Sequence, residues 1–528
     1  MALSPTLPHQ LLCDESTTRP RLAHPTKPRA LLQRRAGDGR PGRSHRPLAQ
    51  GRSLVPAAVA MWRTALRSRR QKRRHSRCAA RCSPSDNAES DEADEEAIAT
   101  GVPRLPLETW LQNPEVQLHQ DLAKDIEDKF GSVPQQANEV VQDVVMRIQS
   151  GAQQCVAPTA TAHPFGSTVN GFGEESSDLD VLVAIDEEEL TYYMSYASFQ
   201  SRCERLGSPL LSEGALSDFV QPSLLLKAVT PKIAMTHAVQ QLAEFLPELG
   251  FKVSQLIPRA RKPLVTLEDT QSTLTEVDVS INNSLPLYNS QLLRAYSELD
   301  PRVRPLVLLV KVWAKGKKVC GAQGGNLSSY SWTIMVLYFL QLVGLLPSLQ
   351  LLSKEERMLE TRDYWGNERS FQVGFLTAEE YQKDVADGKI AAPTGEAGLS
   401  LAELFYGFIH FYSKEYNWGS EVVSVQKPDR KDRGPWFLLF GKGQPEPCIH
   451  VEDPIEFRDL NIVMLRERLA QLKEEFEHAR EMLSEGCSLQ ELLDREPRPE
   501  VMLVPRRRKL RRNNRKRSVP LPRLPEFN

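Results

Sequence analysis

Two spacings of apolar residues divide the first folded part of the chain into regions of different structure. Between residues 106 and 150, apolar side chains return every three or four positions, which predicts helices over 114–129 and 136–150. The segment LDVLVAI at 179–185 alternates with a period of two, as a strand with one buried face does. A glycine-rich stretch, HPFGSTVNGFGE, separates the two patterns.

Both patterns recur in the next part of the chain. Residues 232–249 have helical spacing, and two strands are predicted in FKVSQLIPRARKPLVTL at 251–267 and LTEVDVSI at 274–281, joined by the polar turn EDTQST. A small sheet backed by helices accommodates these elements. The fold class that we predict is therefore α+β.

Beyond Asn289 the spacing becomes helical. The predicted helices span 290–299, 304–317, 329–346, 400–416 and 459–486. The most apolar run, 332–346, is shorter than the roughly 20 residues of a membrane span, so we expect a buried core helix and no membrane association. A mainly helical second domain follows the sheet.

The two ends of the chain are basic and poor in apolar residues. Residues 1–84 are rich in Arg, Pro, Ser and Ala, an acidic stretch follows at 83–96, and RRRKLRRNNRKR lies at 506–517. Such compositions do not build a core. The first segment is typical either of a transit peptide for a mitochondrion or plastid, or of a disordered arm for nucleic-acid binding or nuclear import in a cytoplasmic or nuclear protein.

These patterns predict five regions. They are a basic then acidic region (1–105), helices that pack with the helical domain (106–150), a catalytic domain (151–289), a helical domain (290–486) and a disordered basic tail (487–528). The formal net charge of −1 hides this segregation of charge. Eight scattered cysteines without a CxxC pair favour a reducing compartment.

Three carboxylates carry the chemistry that the sequence suggests. Asp178 and Asp180 are two residues apart at the start of a predicted strand and so point to one face of the sheet. Asp278 lies between Val277 and Val279 in another strand, although an ion pair with Arg259 or Arg261 would also explain it. Three such acids can hold two Mg²⁺ or Mn²⁺ ions.

A Gly-Ser pair precedes the acids by about ten residues. Gly166 and Ser167 form a turn whose backbone N–H groups can approach phosphate oxygens, and an adjacent helix N-terminus would strengthen that attraction. Triphosphate and metal ions would then share one pocket.

The order of these residues resembles the polymerase-β-type nucleotidyltransferase superfamily. LYNSQLLRAYSELDPRVRPLVLLVKVWAKGKKV and GGNLSSYSWTIMVLYFLQ are similar to the noncanonical poly(A) polymerases and terminal uridylyltransferases. VEDPIEFRDLN resembles the poly(A)-polymerase-associated (PAP-associated) domain of the same family. The resemblance covers about 110–470 and implies a polymerase-β-like α+β domain with a small mixed sheet and a helical PAP-associated domain, with a cleft between them.

The resemblance also assigns contacts to the nucleotide. By this comparison, ribose is contacted by Asn289 and Ser290, triphosphate by Lys311 and Lys315 and by Ser329, and the base stacks on Tyr330. Lys311 and Lys315 share one helix face, which suits phosphate binding. Solvated lysines and a core tyrosine are the structural alternatives.

The base that is added depends on the C-terminal signature. Uridylyl-selective relatives carry a histidine about five residues after the aspartate that corresponds to Asp453, followed directly by an asparagine. Here that position falls near Arg458 or Asp459, no histidine is present, and Asn461 comes one residue late. We expect Asp453 and Asn461 to order the nucleotide pocket, with UTP or ATP as substrate.

The resemblance thus implies an enzyme that adds UMP or AMP to the 3′ end of single-stranded RNA. Two alternatives stay open: a catalytically inactive RNA-binding scaffold, and a nucleotidyltransferase that acts on a small molecule or makes oligoadenylate. The three aspartates count against the scaffold. The residues around Lys311, Tyr330 and Asp453 count against the small-molecule enzyme.

Overall fold

The fold is described from a computed structural model. The described residues are 104–134, 138–175, 177–195, 230–260, 262–272, 274, 276–353, 359–364, 367–391, 398–430, 448–461, 464 and 466–498. All of them lie in one compact unit, Ser83–Asn528. The predictions for residues 1–103 and for the basic cluster at 506–517 lie outside the described part of the chain.

A five-stranded mixed sheet forms the first half of the structure. Its strands are β1 (Thr161–Phe165), β2 (Leu179–Ala184), β3 (Phe251–Ile257), β4 (Leu264–Asp269) and β5 (Val277–Ile281). Their order across the sheet is β1-β2-β5-β4-β3. The central pair, β2 and β5, is parallel, and the other pairs are antiparallel.

One strand prediction is wrong, because the segment at 251–267 forms two strands. β3 and β4 pair antiparallel around a turn at Pro258–Arg259. Pro258 supplies no backbone N–H and so cannot continue the ladder of β3. The sheet therefore has one more strand in this region than the period of two indicates.

Helices cover one face of the sheet. The first three helices of the chain are α1 (Leu107–Leu111), α2 (Leu122–Phe130) and α3 (Asn138–Cys155), and α4 (Pro231–Phe245) precedes β3. α3 and α4 bury Val144, Ile148, Ala238 and Leu242 against sheet residues such as Val181. This is the α+β arrangement that the sequence predicts.

The position of α3 differs from the prediction that residues 106–150 pack with the helical domain. α1 and α2 do so, since Leu107, Leu122 and Ile126 belong to the helical core. α3 belongs to the core beside the sheet, and its residues contact β1 and β2. All three helices are amphipathic, and periodicity alone does not tell which core a helix covers.

The second half of the structure is mainly helical. Its helices are α5 (Leu285–Leu299), α6 (Val303–Gly316), α7 (Ser329–Leu342), α8 (Leu349–Leu352), α9 (Ala378–Ala386), α10 (Leu401–His410), α11 (Arg466–Ser484) and α12 (Leu489–Asp494). α7 is buried on all sides, with Trp332, Phe339 and Leu340 each fully buried. Two short pairings, β6 (Leu359–Tyr364) with β7 (Asn367–Gln372) and β8 (Val422–Val423) with β9 (His450–Val451), complete it.

The chain stays folded past the predicted end of the helical domain at residue 486. α12 buries Leu489 and Leu492 in the helical core, and Ser488 with Glu491 forms a capping box at its start. The prediction of a disordered tail from residue 487 is therefore wrong for 487–498. In the described residues, no helix is both long and apolar enough to cross a lipid bilayer.

Candidate active site

Strand register brings two of the predicted acids side by side. Asp180 on β2 is the parallel partner of Asp278 on β5, and Asp278 is the antiparallel partner of Thr266 on β4. Partners on neighbouring strands lie about 5 Å apart with their side chains on one face. Asp178, two residues before Asp180, belongs to the same face. The alternate residues of β2, Leu179 and Val181, are fully buried on the opposite face.

The carboxylate of Asp278 is oriented by a neighbouring strand. The hydroxyl of Thr266 donates a hydrogen bond to Oδ1 of Asp278 at 2.6 Å. This neutral partner replaces the ion pair with Arg259 that we considered as an alternative, while Arg261 lies outside the described residues. A hydroxyl donor brings no positive charge, and the second oxygen of the Asp278 carboxylate can serve as a cation ligand.

Burial and mutual repulsion raise the pKa of Asp178 and Asp180. Burial, followed by the charges of Asp278, Asp178 and Glu276, raises the pKa of Asp180 to about 7. Burial and then Asp278 also raise the pKa of Asp178, against the opposing effect of Lys315. Four like charges close to one another favour a bound cation or proton.

The Gly166 turn lies directly against Asp180. Gly166 has a φ of 78°, and a Cβ built there would come within 2.2 Å of Oδ2 of Asp180. Its N–H donates to Oγ of Ser290 at 2.8 Å, and the Ser290 hydroxyl donates to the carbonyl of Pro286 at 2.7 Å. Only glycine fits here, and the predicted turn and acids form one site.

Ser290 therefore has a structural function in addition to the ribose contact predicted for it. Its side chain is buried, and its hydroxyl connects α5 to the Gly166 turn. Ser167 follows in the single 3-10 turn Gly166–Thr168, and a Cβ at Gly173 would lie within 2.5 Å of its carbonyl oxygen. The loop around the turn is thus closely packed.

The lysines of α6 differ from each other in environment. Lys311 is buried and donates to the carbonyl of Phe172 at 2.8 Å, whereas Lys315 is exposed and close enough to lower the pKa of Asp178. Arg304, about two turns before Lys311 on the same face of α6, donates to the carbonyls of Gly171 and Gly173 at 2.8 and 2.9 Å. α6 therefore holds the loop that follows the Gly166 turn.

Ser329 and Tyr330 begin α7 beside these lysines. Oγ of Ser329 lies 3.4 Å from Sγ of Cys320, and Lys315 and Lys311 both act electrostatically on that thiol. Burial and the charge of Asp453 raise the pKa of Tyr330, with Arg458 opposing. A continuous series of neighbours therefore connects Asp178 through Lys315 and Ser329 to Tyr330, and Tyr330 to Asp453.

Asp453 and Asn461 order the segment that carries the C-terminal signature. Buried Asp453 accepts hydrogen bonds from the backbone N–H groups of Ile455 and Glu456 at 3.1 and 2.9 Å. Asn461 donates to the carbonyl of Ile449. Asp459, near the position of the histidine in uridylyl-selective relatives, is paired with His450 at 2.8 Å.

Three predicted nucleotide-binding residues present buried polar atoms without a protein partner in the described structure. They are Oδ1 of Asn289, the hydroxyl of Tyr330 and Oδ1 of Asn461. A buried polar atom without a hydrogen bond is costly, and a ligand can supply the missing partner.

Sequence reasoning missed four residues of this neighbourhood: Thr266, Glu276, Arg304 and His450. Thr266 becomes a partner of Asp278 only through the register between β4 and β5. Arg304 becomes recognisable only through its contacts with backbone carbonyls far away in the sequence. Only Glu276 could have been found from the sequence, because it lies two residues before Asp278 and so on the same side of the strand. It adds a fourth acid to the cluster.

Comparison with known proteins finds two domains of one family in the chain. Residues 122–298 match the profile of the mitochondrial-like poly(A) RNA polymerase central palm domain, and residues 400–458 match the profile of the PAP-associated domain of Cid1-family poly(A) polymerases. Both matched domains are those of noncanonical poly(A) polymerases and terminal uridylyltransferases, to which this chain is similar. The resemblance stated from the sequence is thereby confirmed.

Curated members of the family match the chain over part of its length. The chain is 28% identical over 310 residues to the poly(A) RNA polymerase GLD2 of Rattus norvegicus, covering 58% of this chain and 53% of that protein. It is 31% identical over 239 residues to the terminal uridylyltransferase cid1 of Schizosaccharomyces pombe, covering 42% and 54%. The chain thus spans about half the length of these relatives.

Solved structures of the family share the fold. A cytoplasmic RNA terminal U-transferase superposes with a TM-score of 0.52 at 24% identity, covering 72% of this chain and 99% of that one. Cid1 in complex with its short product ApU gives a TM-score of 0.52 at 22% identity, with the same coverage. The predicted polymerase-β-like fold with an added helical domain is thereby confirmed.

The family is generally dependent on divalent metal ions. In the part of the chain that the structure describes, no group of three or more His, Cys, Asp or Glu side chains is already gathered around a metal position. The donor chemistry nevertheless fits a hard cation, since the clustered groups are carboxylates that repel one another.

Proposed function

We propose that this chain is a template-independent RNA 3′-terminal nucleotidyltransferase that adds UMP or AMP to single-stranded RNA. The observation that carries the proposal is the register of β2 and β5, which sets Asp180 beside Asp278 and next to the Gly166 turn. The match to the PAP-associated domain of Cid1-family poly(A) polymerases supports the same activity. Lys315, Ser329 and Tyr330 lie on the helices beside these acids.

Asp178, Asp180 and Asp278 are the residues that would hold two Mg²⁺ or Mn²⁺ ions. Two bound divalent ions lower the pKa of an attacking 3′-hydroxyl and offset charge on the leaving pyrophosphate. Thr266 keeps the carboxylate of Asp278 in position through its 2.6 Å hydrogen bond. The Gly166 turn brings backbone close to Asp180, where the α-phosphate of the nucleotide would lie next to the acids.

The triphosphate would be bound between the Gly166 turn and α6. Lys315 is exposed and faces the acid cluster, so its ammonium group supplies a positive charge for the β- and γ-phosphates. Lys311 uses one of its three donors on the carbonyl of Phe172 and has two left. Ser329 lies on the same side, next to Cys320.

The base and ribose would be bound at the start of α7 and α5. Tyr330 offers a ring for stacking, which is worth about 1–3 kcal/mol and tolerates any base. Asn289 offers a buried amide oxygen without a protein partner, which can accept a hydrogen bond from a ribose hydroxyl. Asp453 orders the adjoining turn through two backbone N–H groups.

Relatives support RNA and a nucleoside triphosphate as binding partners. Structures of Cid1 contain the product ApU and the UTP analogue UMPNPP, and curated relatives are named as poly(A) polymerases or terminal uridylyltransferases. The C-terminal signature favours neither base, because Asp459 is engaged with His450 and Arg458, not a histidine, lies five residues after Asp453. UTP and ATP are both candidate substrates.

The test is extension of a labelled single-stranded RNA by the purified protein, with Mg²⁺ or Mn²⁺ and each of the four ribonucleoside triphosphates separately. A ladder with UTP or with ATP that disappears in Asp180→Asn supports the proposal and assigns the base. Arg147→Lys, at a half-buried position of α3 away from the acids, is the matched control and keeps the ladder. RNA binding without extension by any nucleotide would favour the scaffold and contradict the enzyme.

A further inference from the structure

The end of α6 is buried against the last described segment of the chain. Lys317, which caps α6, is fully buried, and its ammonium group donates to the carbonyl of Leu493 at 3.1 Å and to that of Arg495. These carbonyls belong to the end of α12, where a cation is favoured by the helix dipole. A charged side chain thus joins α6 to the segment after α11.

Two polar residues of α11 complete this contact. Glu475 is fully buried and accepts from the guanidinium group of Arg495 and from the backbone N–H of Arg498. Gln471 donates to the carbonyls of Lys317 and Arg498 at 3.4 and 3.3 Å. We refer to Lys317, Gln471, Glu475, Arg495 and Arg498 as the C-terminal clamp.

The clamp fixes one geometry of the segment rather than simply attaching it. Leu489 and Leu492 already anchor α12 in the helical core. Buried charges cost free energy of desolvation, and apolar side chains would hold the segment at least as strongly. Charged groups that are satisfied in only one arrangement, by contrast, set the position of the α6 end relative to α11 and α12.

The α6 end that is fixed in this way carries Lys315. Lys318 has a φ of 56°. Its N–H donates a hydrogen bond to the carbonyl of Lys315 at 3.0 Å, and the N–H of Val319 donates to the carbonyl of Ala314 at 3.0 Å. This closing pattern of a helix leaves little freedom between Lys315 and the clamped Lys317. Lys315 in turn lies close enough to Asp178 to act on its charge.

We propose that the C-terminal clamp is a positioning element that sets Lys315 against the triphosphate. The clamp residues are positioning residues, since their described contacts are with one another and not with the acid cluster. The inference rests on the proposed function, because it gives Lys315 the triphosphate as its ligand. It predicts that loss of the clamp weakens nucleotide binding and leaves the chemical step intact.

The test compares Glu475→Gln and Lys317→Met with Asp269→Asn, a matched control. Asp269 is likewise a buried carboxylate, paired with Arg147 at 2.7 Å behind the sheet. For each protein, the melting temperature, the nucleotide KM and kcat for RNA extension, and the Kd of UTP and ATP by titration calorimetry are measured. Both clamp variants raise nucleotide KM and Kd about fivefold or more with kcat nearly unchanged, while the control loses stability only.

A conservative variant separates positioning from general destabilisation. Arg495→Lys keeps a cation opposite Glu475 and retains the wild-type KM, whereas Arg495→Gln raises it. If Glu475→Gln does not fold, Arg495→Gln replaces it as the second clamp variant in the comparison. Unchanged KM and Kd in folded clamp variants would overturn the inference. If the wild-type protein extends no RNA, the proposed function fails, and the Kd values still decide whether the clamp acts on triphosphate binding.

Discussion

Asp180 is a carboxylic acid whose ionisation opposes folding in the absence of metal. Its pKa of about 7 in the folded protein is above the value of about 3.9 in an unfolded chain, so the folded state binds the extra proton. The free energy of unfolding contributed by this group is therefore largest below pH 4 and is lost as the pH rises to about 7.

This linkage predicts a pH-dependent difference between the wild-type protein and Asp180→Asn. In EDTA, the melting temperature of the wild type falls relative to that of the variant as the pH rises from about 4 to 7, because unfolding releases the Asp180 proton, which the variant lacks. Melting curves of both proteins across this range measure the difference. Parallel curves would contradict the raised pKa.

Gly166 tolerates no side chain, because of its positive φ and its close contact with Asp180. Gly166→Ala forces a Cβ toward Oδ2 of Asp180 in a left-handed conformation, which alone costs about 1–2 kcal/mol. We expect a fall in kcat of about a hundredfold from displacement of the carboxylate. Gly388→Ala, which also has a positive φ but nothing within 4 Å, is the control and retains activity. Equal activity of the two variants would refute this reading.

At the scale of the strand, Thr266 is the partner that register gives to Asp278. Thr266→Val removes a hydrogen bond to a charged group, worth about 1.5–3 kcal/mol, without changing shape. We expect kcat/KM to fall about tenfold or more. Steady-state extension kinetics measure this, with Thr236→Val, on α4, as the control. A wild-type rate in Thr266→Val would show that Asp278 needs no such partner.

At the scale of the helix, the two lysines of α6 have different functions: Lys315 supplies an exposed charge, and Lys311 supports the loop at Phe172. Lys315→Ala removes an exposed cation without a described hydrogen bond to the loop, so nucleotide KM rises more than RNA KM. Lys311→Ala also releases the carbonyl of Phe172 and lowers stability as well. Kinetics with each substrate varied in turn distinguish these effects. Lys124→Ala, on α2, is the control, and equal shifts in both KM values for Lys315→Ala would argue against a triphosphate contact.

The elements also indicate how far sequence reasoning reaches. Asp178, Asp180 and Asp278 stand out because an acid within an alternating apolar strand needs a reason, and the structure places these three together. Thr266 does not stand out, because a threonine in a strand is ordinary until the register is known. The division of 251–267 into β3 and β4 was missed because its turn contains no glycine.

Long-range packing explains the other differences. The periodicity of α3 shows an apolar face but not which of two cores it covers. Lys317 and Glu475 look like solvated charges of amphipathic helices, and their burial depends on a segment that the sequence suggests is disordered. Contacts between residues distant in the chain decide both, and composition and spacing carry no record of them.

At the scale of the whole molecule, Phe172 joins the sheet to the helical half. It lies in the loop that follows the Gly166 turn, yet its ring is buried in the helical core. Phe172→Ala costs about 3–5 kcal/mol, as does Phe476→Ala within the same core. Only Phe172→Ala also lowers kcat/KM below the melting temperature, because the loop carries the turn. Equal kinetics of the two variants would disprove this coupling.

The parallel pairing of β2 with β5 has a consequence for biogenesis. Asp180 and Asp278 come from distant parts of the sequence, and α4, β3 and β4 must be made before β5 can insert beside β2. Non-local pairing of this kind forms late in folding. A partly synthesised or half-folded chain therefore contains the Gly166 turn, Asp178 and Asp180 but lacks Asp278 beside them. The proposed nucleotide transfer is expected only when the catalytic half of the fold is finished.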